Sequence, residues 1–415
     1  MSTIFAPLSG AGGAVTLLRL SGPEALTILG ALCPVPPARR ASLRRLRHAG
    51  LVLDEALVTV FPAPHSFTGE DVAEVALHGG RAVLTAVSAA LVALGARPAE
   101  GGEFSRRAHA NGRLDLLGAE AMADLIAADT EAQRVQALDA ALPAACAAWR
   151  ERLRLLMAQQ EALIDFPDED LPPEVEAALV GGIAALRADM AAALAAAPAA
   201  ERLREGLEFV ILGAPNAGKS TLLNALAGED VAIVAATPGT TRDAVGVRVD
   251  LGGVPVHLTD TAGLRETKDE VEAEGVKRAR ARAAKADFVV LVAAPGETFP
   301  AAPAVPHLCL RTKADLGGEG VSARTGAGMA ALRASLAAQA RALTDTRGAA
   351  ALTRPRQVAC VRDTMAALDA ALAEQEPELR GEELRTAAGA LARLVGVVGV
   401  EEVLDAVFSG FCIGK

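Results

Sequence analysis

Residues Gly213-Ala-Pro-Asn-Ala-Gly-Lys219-Ser220 constrain the fold of this chain more than any other stretch. They follow an apolar, strand-like run from Leu207 to Leu212 and open an apolar-periodic helix from Thr221 to Leu226. A glycine-rich turn in that context is a phosphate-binding loop. Gly213 and Gly218 let backbone N–H groups turn inward around phosphate oxygens, with Ala217 and Thr221 beside them. Lys219 reaches the terminal phosphates, and the Ser220 hydroxyl can ligate Mg²⁺.

Three later segments decide which nucleotide is bound. Thr237-Pro-Gly-Thr240-Thr241-Arg-Asp243 lies where a switch loop would carry a hydroxyl to the metal. Asp260-Thr261-Ala262-Gly263 ends a second strand (Val254 to Leu258), and Thr312-Lys313-Ala-Asp315 follows a third (His307 to Leu310). Asp260 supplies a water-mediated Mg²⁺ contact, and the Gly263 N–H can meet the γ-phosphate. Asp315 is placed to accept hydrogen bonds from N1 and N2 of guanine, which adenine cannot offer as a pair. Ser322-Ala323-Arg324 then supplies backbone N–H groups for the guanine carbonyl. Four such segments in this order spell a GTPase.

A glutamine that orients the attacking water would follow Asp260-Thr-Ala-Gly263 in a Ras-like enzyme, and here the residue is Leu264. The water must be held by something else. Asn216 offers a side-chain oxygen to a monovalent cation, whose charge would replace that of an arginine finger. The acidic run Arg265-Glu-Thr-Lys-Asp-Glu-Val-Glu272 is either a source of the water-orienting group or a solvated switch face.

At 415 residues the chain is long enough for two or three domains, and 51% hydrophobic with 3% aromatic residues implies an Ala/Leu/Val-built, helix-rich core. A net charge of −10 leaves no general electrostatic footprint for nucleic acid, so any RNA contact must be local or lent by a partner. Five cysteines (33, 146, 309, 360, 412) show no C-x-x-C pair, and the N-terminus has no signal-peptide pattern. Both point to a cytoplasmic protein with reduced thiols and no zinc. The apolar run Met190 to Ala200 is bounded or broken by Asp189, Pro198 and Glu201, so no membrane span is expected.

Along the chain, strand-like runs (Val15 to Leu20, Leu57 to Phe61, Val72 to Leu77) alternate with helical ones (Ala25 to Leu32, Ala82 to Leu94), predicting an α/β domain over 1–117. Helical periodicity takes over in 118–205, with Leu153, Leu156, Met157, Leu163 and Ile164 on one face. It resumes in 340–415, where Val361, Met365, Leu368 and Leu372 repeat. The GTPase segment, 206–339, therefore reads as a Ras-like P-loop domain inserted into a helical domain.

Taken together, the loop with Asn216, Thr240-Thr-Arg-Asp243, Asp260-Thr-Ala-Gly-Leu264, Ser66-Phe-Thr-Gly-Glu-Asp71, His78-Gly-Gly80, Arg113-Leu-Asp115, Ile164-Asp-Phe-Pro-Asp-Glu169 and the terminal Phe411-Cys-Ile-Gly-Lys415 resemble the bacterial tRNA-modification GTPases of the MnmE (TrmE) family. The likeness covers essentially the whole chain. It implies a homodimer formed through the N-terminal domain, which would bind 5-formyl- or methylene-tetrahydrofolate. It implies work with the flavoprotein MnmG (GidA) on C5 of the wobble uridine of tRNA, and face-to-face pairing of G domains with GTP, Mg²⁺ and K⁺. By the same likeness Arg19, Glu74, Arg113 and Lys415 contact folate and Glu272 orients water. Thr241 joins Ser220 at Mg²⁺, and Asn216, Ala235, Thr237 and Thr240 hold K⁺. Arg for the folate carboxylates and Glu for pterin N–H groups is sensible chemistry. Cys412 is either a buried structural thiol beside Phe408 and Phe411 or, on the resemblance, a thiol at the one-carbon site.

Three departures stand out. Thr312 replaces the Asn that opens the family's guanine motif, losing an amide that would bond the base and brace the loop, at a cost of about 1–3 kcal/mol. The stretch from Phe299 to Ser322 leaves little room for the usual strand before Ser322-Ala-Arg324. Arg113 stands where Lys is common, which keeps charge and alters geometry. A non-modifying GTP switch of the ribosome-assembly type would need an RNA-binding module or a second G domain, and the sequence shows neither. A folate-binding aminomethyltransferase-like protein with a relic G domain would lack GTP turnover.

Overall fold

The computed structural model describes residues 2–9, 13–165, 173–228, 246–260 and 281–396. The chain divides into two compact units, one of residues up to Ala123 joined by the chain from Ala392, the other Asp124–Leu391.

In the first unit, period-2 patterning produces β1 (Ile4–Pro7), β2 (Val15–Ser21), β3 (Ser42–His48), β4 (Leu51–Phe61), β5 (Val72–His78) and the short β6 (Arg97–Pro98). They form one sheet of order β3-β4-β5-β2-β1-β6, antiparallel except for β1 with β6. Helices α1 (Ala25–Leu32) and α2 (Arg81–Ala93) cover one face, where Leu18 and Leu20 of β2 pack with Ile28, Leu29, Val87 and Leu91. Alternation turns Arg19 to the opposite face, where Phe67 and Phe104 lie, the latter on α3 (Glu103–Ala110).

After α4 (Leu116–Ala127) and α5 (Glu131–Ala137) come two long helices, α6 (Ala141–Asp165) and α7 (Pro173–Glu205). Pro198 lies inside α7 and does not break it, in line with the helical periodicity read over 118–205. The buried stripe Leu179, Ile183, Leu186, Met190, Ala193, Ala197 and Ala200 holds the helix through the proline. Among the described residues α7 is the one helix long and apolar enough to cross a membrane. Here it packs against α6, and its flanks carry the ion pairs Arg152–Asp189 and Arg187–Asp369.

Five strands follow: β7 (Leu207–Gly213), β8 (Gly246–Leu251), β9 (Val254–Asp260), β10 (Phe288–Ala293) and β11 (His307–Arg311), in the order β11-β10-β7-β9-β8. All neighbours are parallel except β8 with β9. Parallel strands are buried on both faces. Phe209 and Ile211 accordingly pack towards α8 (Lys219–Ala227) and α9 (Met329–Leu343), while Val210 joins Val289 and Leu291 on the other side.

The chain ends its described course in α10 (Pro355–Ala373) and α11 (Pro377–Val395). Gln160 Nε2 donates to Pro377 O (2.9 Å), Arg187 Nη2 reaches Asp369 Oδ2 (3.1 Å), and Arg380 pairs with Glu176. Helices that precede and follow the parallel sheet in the chain thus pack on one another, and the parallel sheet is inserted between them. Arg202 Nε bonds Asp287 Oδ1 (2.7 Å) and Arg204 Nε bonds Thr353 O (2.8 Å), tying the stem of the insertion to its base.

Candidate active site

The phosphate loop leaves β7 at the middle of the parallel sheet, where strand order reverses and ligands bind in open α/β sheets. A Cβ on Gly213 would sit 2.5 Å from both Cγ2 and O of Val292, so only glycine lets β7 and β10 close at the mouth of the loop. Asn216 and Gly218 adopt left-handed backbone, at φ 62° and 85°. Glycine reaches that region freely and asparagine more easily than most residues. The first turn of α8 then presents its free N–H groups to the loop.

Lys219 is buried, and its Nζ donates to the carbonyls of Gly213 (3.0 Å) and Ala214 (2.8 Å). Burial pushes its ammonium below the ordinary lysine range, opposed by the charges of Asp260 and Glu297. It is held folded over the loop by neutral acceptors, which phosphate oxygens can replace with stronger charge-assisted bonds. Ser220 Oγ donates to Asp260 Oδ2, and the register that sets Ile211 opposite Asp260 brings the pair together. A hydroxyl and a carboxylate in contact are the hard oxygen donors that Mg²⁺ takes, one directly and one through water.

The guanine side corrects one expectation. Thr312 does brace the loop: its buried Oγ1 donates to Ala217 O (2.6 Å), with Ala293 O at 3.3 Å. Its hydroxyl thus anchors the phosphate loop to the end of β11, and only the longer reach of an amide is lost. Asp315 is exposed, and Ser322 Oγ donates to its Oδ1 (2.7 Å). That bond holds the Asp315 carboxyl below its ordinary value. Sequence reasoning had assigned the Ser322 segment backbone contacts only; the hydroxyl orients the aspartate as well. Among the described residues no strand lies between β11 and Ser322. Val321 N–H instead donates to Arg311 O (2.8 Å), folding the base-recognition loop straight back onto β11. Ala323 and Arg324 follow in the same loop, and Lys313 has left-handed backbone at φ 55°.

In the N-terminal unit, Arg19 and Glu74 stand opposite each other on β2 and β5, and Arg19 Nη2 bonds Glu74 Oε1 (2.7 Å). The guanidinium lies 4.8 Å from the centre of the Phe67 ring and 5.6 Å from that of Phe104. Beside it Ser21 Oγ bonds Thr68 Oγ1 (2.7 Å) and Glu70 Oε2 (2.9 Å), and Arg107 reaches Glu70 and Glu103. Arg113 is exposed and packs against Gly69, while Asn111 donates to Thr68 O (2.7 Å). The Ser66–Asp71 run is thus the part of the fold that links Arg19 and Arg113. Phe67, Glu70 and Arg107 belong to this cluster and had been given no role from sequence; the Ser66–Asp71 motif was the signal. Ala235, Thr237, Thr240, Thr241, Thr261, Ala262, Gly263, Leu264, Glu272, Cys412 and Lys415 lie outside the described residues.

A phosphate loop with buried Lys219, the Ser220–Asp260 pair at its mouth and a carboxylate at Asp315 make this the nucleotide site of a P-loop protein. Residues 116–412 match the family model of the MnmE helical domain, and residues 3–113 that of the GTP-binding protein TrmE N-terminus. Three relatives called tRNA modification GTPase MnmE are similar from end to end. That of Acidiphilium cryptum (strain JF-5) is 62% identical over 425 residues, covering 99% of this chain and 98% of the relative. That of Gluconacetobacter diazotrophicus is 55% identical (99% and 98% covered) and that of Granulibacter bethesdensis 50% (100% and 99%). The chain belongs to the MnmE family of tRNA modification GTPases, and it is an enzyme that hydrolyses GTP in the service of tRNA modification.

Proposed function

We propose that this GTPase works as a K⁺-stimulated homodimer with the flavoprotein MnmG. Together they add an aminomethyl or carboxymethylaminomethyl group to C5 of the wobble uridine (U34) of tRNA, from a 5-formyl- or methylene-tetrahydrofolate carbon. Residues 1–117 carry folate binding and dimerisation, 206–339 hydrolysis, and 118–205 with 340–415 the helical domain between them. The protein acts in the cytoplasm.

The observation that carries this reading is the half-buried Arg19–Glu74 pair set against Phe67 and Phe104. An aromatic-flanked site with a carboxylate held by one cation fits the N–H edge of a flat heteroaromatic ring. Folate supplies the one-carbon unit when bound. Glu74 accepts from the ring N–H groups with Arg19 paired beside it, and Arg113, Lys415 and Cys412 complete the site.

In the G domain, Lys219 neutralises the terminal phosphates and Ser220, Thr241 and Asp260 hold Mg²⁺ directly or through water. Thr261, Ala262 and Gly263 lie along the γ-phosphate, and Glu272 orients the attacking water. Asn216, in left-handed backbone within the loop, offers its amide oxygen to K⁺ with Ala235, Thr237 and Thr240. K⁺ contributes a fixed positive charge near the phosphates. Nucleoside analysis tests the reading: a strain lacking the gene loses the wobble-uridine modification and regains it with the wild-type gene. Unchanged wobble uridine in the deletion strain overturns it.

A further inference from the structure

The chain carries a net charge of −10, yet Arg39, Arg40, Arg44, Arg45 and Arg47 fall within nine residues. They occupy the approach to β3 and the strand itself, at the free edge of the N-terminal sheet. Leu46 is fully buried and anchors the strand, while Arg39, Arg40, Arg45 and Arg47 are exposed. Glu55, opposite Arg45 on β4, engages one guanidinium. Arg44 is instead held by neutral carbonyls, its Nε on Pro34 O and its Nη1 on Leu43 O (both 2.9 Å). Arg39 bonds His65 O and lies 5.7 Å from the centre of the Phe61 ring. Carbonyls and rings fix guanidinium groups without cancelling their charge. Arg44, Arg45 and Arg47 line one shallow concavity of about 550 Å³ together with Pro34, Leu43 and the Arg45-paired Glu55.

We propose that β3 and the segment before it form a docking surface for the phosphate backbone of tRNA. The inference rests on the tRNA-modifying reading and takes the local of the two routes open to an acidic chain, a basic patch of its own rather than one lent by a partner. Edge strands also use charge to block strand addition, and a few charged side chains suffice for that. Arg39 and Arg44, fixed in orientation by neutral groups, match the planar, bidentate recognition of phosphate, and the exposed Arg40 and Arg47 add charge beside them.

The test uses the full chain, an unmodified tRNA transcript and fluorescence anisotropy over a salt series. Arg40→Ala with Arg47→Ala is expected to weaken binding of order tenfold and to lower the slope of log K against log salt by about 0.7–0.9 per arginine. GTP turnover stays unchanged, and Arg40→Lys with Arg47→Lys restores most of the affinity. No binding by the wild type, or unchanged affinity and slope in the alanine variant, overturns the proposal. Self-association of the alanine variant with tRNA affinity intact makes these residues edge guards and overturns it too. Cellular nucleoside analysis separates the two levels. Failure of the wild-type gene to restore the modification removes the tRNA-modifying reading. Equal restoration by wild type and alanine variant, with equal tRNA binding, removes only the docking surface.

Discussion

Thr312 shows how one hydroxyl keeps part of what an amide would do. Its bond to Ala217 O ties the phosphate loop to the end of β11, so Thr312→Ala leaves a buried carbonyl short of a donor. GTP affinity should fall by about 1–3 kcal/mol. Thr312→Asn restores an amide within reach of the base, and isothermal titration is expected to show tighter GTP binding. The maximal rate should hold, because the base is remote from the γ-phosphate. Asn216 gives a second prediction at this scale. With Leu264 in place of a water-orienting glutamine, K⁺ should raise GTP turnover well above Na⁺, and Asn216→Ala should abolish the difference; equal rates in both salts for the wild type count against it. The loop itself was legible because its chemistry is contiguous from Gly213 to Ser220. The brace was not, since donor and acceptor are 95 positions apart and neither residue type announces the other.

Helix α3 is where local charge becomes element stability. Burial would raise the Glu103 carboxyl, yet hydrogen bonds from Arg97, the Glu100 N–H and Arg107 prevail and hold it down to about 2. A depressed carboxyl contributes stability above its unfolded value, and that contribution is lost as pH falls through the folded one. The window therefore runs from about 4.5 down to about 2. Glu103→Gln should cost about 1–2 kcal/mol at neutral pH, less than a fully buried pair because Arg97 is partly exposed. It should also flatten the acid limb of a denaturant-melt series across that window. A limb as steep in the variant as in the wild type would place the titration elsewhere. Sequence patterning found β2, β5, α1, α2 and β7, β9 and β11 of the G domain, because period-2 and period-3.6 burial is written locally, but it did not name β8 or β10. Helical periodicity over 118–205 was legible, but the partners of the buried stripe of α7, α6 and α10, were not, because α10 lies elsewhere in the chain.

On the scale of the molecule, Lys219, Ser220, Asp260 and Asp315 all belong to the unit Asp124–Leu391, and Arg19 and Glu74 to the unit that begins the chain. Two chemistries housed in separate cores can be disabled one at a time. Glu74→Gln keeps the shape of the side chain and removes the charge facing Arg19, leaving a half-buried guanidinium without its carboxylate. We expect wobble-uridine modification and folate binding to be lost while GTP turnover at matched folded concentration stays near that of the wild type, with stability down by about 1–2 kcal/mol. The double variant Arg19→Met with Glu74→Met is the control. Well-packed apolar residues can replace an ion pair at little cost, so a pair that serves the fold alone would let the double variant melt and modify tRNA like the wild type. A binding pair instead leaves a folded, GTP-hydrolysing protein that takes up no folate and modifies nothing. Folate titration and nucleoside analysis on the same two variants distinguish these outcomes, and normal modification by the double variant would remove Arg19 and Glu74 from the one-carbon site.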